Sequence, residues 1–360
     1  MNGIKFYNDL DMAISCVTPA DSEAMRLARV RMDSIAKPLN SLGELEGLVV
    51  RLAGMGGLKE MYRKAVVVAC ADNGVVQEGV TQTGQEITAK VAQNMAQGVS
   101  TVCIMSRVAG ADVYPFDFGM AVDVEGVPSP YEGLGVAKMP GTRNIAREPA
   151  MSRDMAACAV LAGINLVGRL KGEGYDMLAT GEMGIGNTTT SAAMSAVLLG
   201  QPAEMVTGKG AGLSEEGLVR KIRAVKAAIE VNAPNPNDPL DVLRCVGGLD
   251  IAGMAGVFLG GAIHGLPIVM DGLISGIAAL VAYRLAPCAR DYMLASHLSK
   301  EPAARLILEE LGLRPLLSIG MALGEGTGAV SVMPLIDMAL KVYHEMPLFD
   351  EYGMEAYKPL

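Results

Sequence analysis

Two short stretches of the chain each place a glutamate inside a glycine turn. Residues 321–329 read Met-Ala-Leu-Gly-Glu-Gly-Thr-Gly-Ala and put Glu325 in a turn that follows the apolar run Pro315–Gly320. Residues 181–190 read Gly-Glu-Met-Gly-Ile-Gly-Asn-Thr-Thr-Thr and put Glu182 after the apolar Met177–Thr180. Glycine backbone approaches a ligand closely, and a helix that starts at such a turn offers N–H groups to a phosphate. A carboxylate there can act as a base beside a phosphorylated substrate. One glycine loop alone also marks an ordinary turn, but two loops with the same glutamate placement point to one site.

The elements that must position these loops alternate. Apolar β-rich runs occur at Ala65–Ala71, Val113–Phe118, Met177–Thr180, Pro267–Met270, Tyr292–Ser296 and Leu316–Ile319. Helix-like segments lie between most of them: Ser152–Leu170, Thr189–Leu199, Glu215–Ile229, Leu273–Leu285 and Glu301–Leu311. Continuous apolar strands alternating with helices predict an α/β fold, a doubly wound, mostly parallel sheet covered on both faces. Such sheets bind ligands beyond the carboxyl ends of their strands. Asp72, Glu182, Asp271, Ser296 and Glu325 all fall at or just after a predicted strand end.

The first sixty residues differ. Thr18-Pro19 opens a helical run to about Ile35, Lys37-Pro38 breaks it, and Ser41-Leu-Gly-Glu44 reads as a capping box before a second helix with Leu45, Leu48, Val49 and Leu52 on one side. Residues 1–60, completed by part of 334–360, are expected to form a small helical domain against a Rossmann-like α/β domain over 61–333.

Composition narrows the function. With 51% apolar residues, 24 Met, 4% aromatics and no Trp, the core is aliphatic and Met-filled. A net charge of −9 argues against nucleic acid or an anionic membrane as partner, so any phosphate must be held by local donors. The six cysteines show no C-x-x-C, and the three histidines have no ligand spacing, so reduced thiols and no metal site are expected. The N-terminal sequence lacks a signal-peptide pattern. Residues 251–270 contain no Asp, Glu, Lys or Arg, but five glycines, His264 and Pro267 interrupt them, so a packed helix running into a buried strand is expected. A cytoplasmic, soluble protein without cofactor is the consequence.

The same segments carry a resemblance. Together with Asp33–Gly43 (DSIAKPLNSLG), Ala71–Val80 (ADNGVVQEGV), Gly141–Met151 (GTRNIAREPAM), Gly208–Lys221, Gly247–Ile251 (GGLDI), Asp271–Ala282 and Ser296–Pro302 (SHLSKEP), the two loops resemble the nicotinate-nucleotide–dimethylbenzimidazole phosphoribosyltransferases, in order along roughly residues 30 to 350. That family makes the lower-ligand nucleotide of cobamides, the vitamin B12 group. The resemblance implies that an aromatic base displaces nicotinate from C1 of nicotinate mononucleotide, inverting the anomeric carbon to give an α-ribazole phosphate. It implies a homodimer with active sites at the interface, and no magnesium demand, since no pyrophosphate leaves.

Residue roles follow by position. Glu325 aligns with the family's catalytic glutamate in Leu-Gly-Glu-Gly-Thr-Gly-Ala, and burial should raise its pKa and improve it as a base. Glu182 is expected to face the ribose, where a negative charge supports developing positive charge. Gly184, Gly186, Asn187 and Thr188 offer a phosphate cradle at a helix N-terminus, Lys221 a full charge and Ser299 a hydroxyl. The resemblance further implies substrate contacts from Leu323, Gly326, Thr327, Gly328, Asp72, Thr81 and Gln85. A helix cap is the plain alternative for Glu325, a backbone-satisfied loop carboxylate for Glu182, and a solvated helix face for Lys221.

The chain departs from the family pattern at three positions. Asn73 and Ala304 stand where the family usually has His, and Ala322 where it usually has Arg. These changes keep open transfer to phenol or p-cresol, a complex of two paralogous subunits, or a non-catalytic subunit. A dinucleotide-binding oxidoreductase is excluded, because Ala65–Ala71 leads into Asp72-Asn-Gly-Val and not into G-x-G-x-x-G.

Overall fold

The computed structural model describes residues 6–355 and 357. Five strands, β1 (Lys64–Ala71), β2 (Ala111–Gly119), β3 (Met177–Met183), β4 (Ile268–Met270) and β5 (Met293–Ala295), form one sheet in the order β2-β1-β3-β4-β5. Every pairing is parallel, with Val67 of β1 opposite Tyr114 of β2 and Thr180 of β3. All eight residues of β1 are buried, as expected for a strand covered on both faces. β2 lies at an edge, where Pro115 is tolerated. The chain leaves β1 toward β2 and returns on the other side to β3, so the strand order reverses between β1 and β3. Ligands of open parallel sheets bind at that reversal.

The predicted helices form over Arg153–Gly172, Asn187–Leu198, Glu215–Asn232, Leu273–Leu285 and Ala303–Leu311. The charge-free segment folds as a helix, Leu249–His264, followed by β4. Its glycines let it lie against Arg153–Gly172: a Cβ at Gly256 would overlap the Val160 carbonyl, and one at Gly163 the Gly253 carbonyl. Arg153–Gly172 is long and apolar enough to cross a membrane, but 67% of its most apolar stretch is buried inside the fold, as in a core helix. All six cysteines are free, four of them buried.

Three local expectations are corrected. Leu316–Ile319 is not a strand, because only Leu317 pairs, in a single bridge to His297. The Ser41–Glu44 capping box does not form: the helix Glu44–Gly54 begins at Gly43 with no side-chain cap, while the buried Glu46 accepts from the Leu42 N–H at 3.0 Å and from Lys37 Nζ at 2.7 Å. The helical run opened by Thr18-Pro19 starts at Ser22, capped by Asp21. A further helix, Phe6–Ser15, buries Phe6 and Leu10 in the main core.

Ala28, Met32, Ile35, Val49, Val50 and Ala53 form a second apolar cluster with Ala339 and Tyr343 of the helix Thr327–Glu345. That helix runs unbroken through residues 333 and 334.

Candidate active site

The carboxyl ends of β3 and β4 and the turn before the helix Thr327–Glu345 enclose a cavity of about 280 Å³. Glu182 and Glu325 both line it, joined by Gly184, Asn187, Thr188, Ser299 and Leu323. The two glycine loops, 143 residues apart by number (325 − 182), therefore meet. The contact is close because β3 carries no side chain at Gly181, where a Cβ would overlap the Glu325 carbonyl.

Glu182 is the last but one residue of β3 and is buried. The Asn187 amide donates both to Glu182 Oε2 and, at 3.1 Å, to Asp250 Oδ2. Burial, then the neighbouring Asp250 charge, pushes the Glu182 carboxyl up to about 8, and burial pushes Asp250 up to about 6. Both causes favour the protonated form of the Glu182 carboxyl. It is not a loop carboxylate satisfied by backbone.

These raised values fix the sign of a stability effect. Between pH 4.5, the ordinary value for Glu182, and about 8, the folded state binds more protons than the unfolded one, so stability falls as pH rises. Asp250 acts in the same direction between 3.8 and about 6. The thermal midpoint of ligand-free protein is expected to drop across pH 5 to 8, and Glu182→Gln to flatten that slope. Equal slopes for the two proteins by differential scanning calorimetry would remove Glu182 as its source.

The Gly184–Thr188 turn leads into a helix N-terminus. Gly186, at φ 98°, precedes the helix Asn187–Leu198, and Gly184 has no room for a Cβ, which would come within 2.7 Å of both the Ala71 carbonyl and Asp250 Oδ2. Lys221 is fully buried rather than on a solvated face. Its Nζ donates to Thr188 Oγ1 at 2.7 Å and to the Gly208 carbonyl at 3.0 Å, and burial lowers it to about 8. It stands behind Thr188 as a cationic backing for that wall.

Glu325 lies between Gly324 and Gly326, and all three residues have positive φ, of 88°, 60° and 94°. Its Oε2 accepts from the Val102 N–H at 3.2 Å, at the start of the helix Thr101–Ala109. It does not cap the helix that follows it, which receives Asp271 instead. Burial raises the Glu325 carboxyl above its ordinary value, the Val102 N–H opposes this, and the Asp271 charge adds to it.

Other expected residues lie outside the cavity walls. Gly186, Gly326, Thr327 and Gly328 form backbone behind it. Asp72 accepts from the Ala121 N–H at 2.8 Å and so ties β1 to the β2 side. Thr81 donates to Thr83 within its own turn at 2.7 Å, and Gln85 to the Asn73 carbonyl at 3.3 Å. Of the three departures from the family pattern, Ala322 lines the cavity, Ala304 packs behind it with Ile307 and Leu308, and Asn73 is buried beside Asp250 and Gly248. Asp250 was missed as a partner of Glu182. Its only sequence signal is the Gly-Gly-Leu-Asp start of a helix.

A parallel α/β sheet whose β3 and β4 ends meet a buried and a half-buried glutamate, a helix-terminal glycine turn and a buried lysine has the parts of a nucleotide-handling transferase. The family model described as "Phosphoribosyltransferase" matches residues 17–354. The chain belongs to this family, the nicotinate-nucleotide–dimethylbenzimidazole phosphoribosyltransferases. A protein of that name from Ruminiclostridium cellulolyticum is 44% identical over 353 residues, covering 97% of this chain and 98% of its own length. Another from Desulforamulus reducens is 46% identical over 345 residues, covering 95% and 97%. The crystal structure of CobT from Thermus thermophilus matches with a TM-score of 0.84 and 42% identity, over 93% of this chain and 100% of that one.

Proposed function

We propose that the chain transfers the 5-phosphoribosyl group of nicotinate mononucleotide to an aromatic base of the 5,6-dimethylbenzimidazole type, releasing nicotinate and giving α-ribazole 5′-phosphate for the nucleotide loop of a cobamide. The observation that carries this reading is the convergence of Glu182 and Glu325 on one cavity from separate glycine turns. The names of the relatives supply the substrates.

A nitrogen of the base attacks C1 as the bond to the pyridinium nitrogen breaks, and the bonding pair returns to that nitrogen and neutralises it. Glu325 takes the proton from the far ring nitrogen of the incoming base. Glu182, in its ionised form, faces the positive charge spread over C1 and the departing ring. The Gly184–Thr188 turn and Ser299 hold the phosphate, with Lys221 behind Thr188. Leu323 packs beside the reacting groups. Gly326, Thr327 and Gly328 shape the base-side turn, while Asp72, Thr81 and Gln85 stand outside the cavity wall.

The working form in this reading is a homodimer in the cytoplasm. Val99, Ile104 and Val108 are exposed, Val108 by 85%, on and just before the helix whose Val102 amide bonds Glu325, and they suit a subunit interface close to the site. The helices Ser22–Ser34 and Glu44–Gly54 with the end of the last long helix make a small helical unit in this reading, while the helix Phe6–Ser15 packs on the core of the sheet unit.

Purified chain, sized and then incubated with nicotinate mononucleotide and either dimethylbenzimidazole or phenol, tests the reading by mass spectrometry of the products. The expected result is a dimer of one chain type, making α-ribazole phosphate with a kcat/KM for dimethylbenzimidazole well above that for phenol. Product formed only with phenol, or only after a paralogous chain is added, would replace this acceptor and this assembly.

A further inference from the structure

The turn that carries Glu325 is held by a side chain to which the mechanism above gives no part. Asp271 is the first residue past β4 and is buried. Its Oδ2 accepts from the Gly326 N–H at 3.1 Å, and its Oδ1 from Gly328 at 2.8 Å and Ala329 at 3.2 Å. Two of these donors belong to the first turn of the helix Thr327–Glu345, where an anion is favoured. The third, Gly326, precedes the helix and directly follows Glu325, so the carboxylate grips the turn and not the helix alone.

The grip matters because Glu325 has φ 60°, a left-handed conformation that a residue with a Cβ keeps only when its surroundings over-determine it. β3 supplies one wall, with Gly181 against the Glu325 carbonyl. Asp271 and its neighbour His297 supply the other. A Cβ at Gly328 would overlap the His297 ring and come within 2.8 Å of Asp271 Oδ1. His297 is itself held, with Nδ1 3.1 Å from Ser296 Oγ. The turn is thus clamped between β3 and the residues that follow β4 and β5.

We propose that Asp271 is a positioning residue for the base, fixing the Glu325 carboxylate over the cavity through the backbone amides of Gly326, Gly328 and Ala329. The proposal rests on the reading of Glu325 as the base. A misplacement on the order of 1 Å costs roughly 10²-fold in rate, so a loosened turn should show in kcat without loss of substrate binding.

A four-protein cycle of wild type, Asp271→Asn, Glu325→Ala and the double variant tests this, with kcat, nucleotide KM and thermal midpoint read for each. Asparagine presents an N–H pair where the turn now finds an acceptor, so Asp271→Asn alone should lower kcat by about 100-fold and change the nucleotide KM by less than about threefold. In the Glu325→Ala background the same change should cost less than about threefold in kcat, because the group it positions is gone. Asp271→Glu keeps the charge and an acceptor but shifts the carboxylate by one methylene; it should show the same dependence on Glu325, and it decides the matter if Asp271→Asn does not fold. An equal fractional loss in both backgrounds overturns the proposal while leaving Glu325 as base. Full activity of Glu325→Ala by itself sinks the base reading and the proposal with it.

Discussion

Glu325→Ala should lower kcat by about 10²–10⁴-fold with dimethylbenzimidazole, the usual contribution of a positioned general base, while the fold stays intact. The side chain is only half-buried and has one hydrogen bond, from the Val102 N–H at 3.2 Å. Its loss leaves a helix-terminal amide that water in the cavity can satisfy. The positive φ of 60° is no worse for alanine than for glutamate, since both carry a Cβ. Burial raises the carboxyl, which makes it a better proton acceptor for an azole than an exposed glutamate would be. The effect should therefore fall on turnover, with circular dichroism and melting temperature close to wild type. A variant that keeps near-wild-type kcat removes Glu325 from proton transfer and hands that role to solvent.

How much of this site could be read from the chain depends on how far apart its interacting groups lie. Glu182 and Glu325 were legible because each sits in its own glycine turn after an apolar run, a local pattern of a few residues. The carboxylates that tune and hold them were not. Asp250 reaches Glu182 through Asn187, 63 residues away, and Asp271 reaches Gly326 across 55 residues, so no spacing rule shows either contact. Asp271 was visible as a charge at a strand end and as the first residue of a family-like block, neither of which shows the turn it holds. Placement at a strand end does not say toward which side the group turns, and Asp72, at the end of β1, turns to the Ala121 amide beside β2 rather than into the cavity.

The same limit applies to the fold. Long apolar runs such as Ala65–Ala71 announced buried parallel strands, and Leu273–Leu285 was matched to the residue. Leu316–Ile319 has a strand's composition, yet the sheet has no continuous partner for it beyond His297. The capping box at Ser41–Glu44 is a local preference that lost to a buried ion pair, Lys37 with Glu46, in which Glu46 also takes the Leu42 N–H. Local signals held where nothing buried competed with them.

Glu182→Gln should lower kcat by roughly 10²-fold, the scale of removing one electrostatic partner of a developing charge, with a smaller change in the KM of the acceptor base. Burial and the charges of Asp250, Asp271 and Glu325, against the Asn187 hydrogen bond, push the Glu182 carboxyl up to about 8 and favour its protonated form. A pyridinium nucleotide arriving beside it favours the carboxylate, so productive binding expels that proton. The wild-type kcat/KM for the nucleotide should then rise with pH until the pair of Glu182 and Asp250 has lost it, near 8, and level off above. Glutamine matches the shape and keeps a hydrogen-bond acceptor for Asn187, but it has no proton to lose and no charge to offer. Its profile should be low throughout, without the rising limb that ends near 8. A Glu182→Gln enzyme with unchanged kcat and only a weakened KM would place Glu182 in substrate binding and not in charge stabilisation.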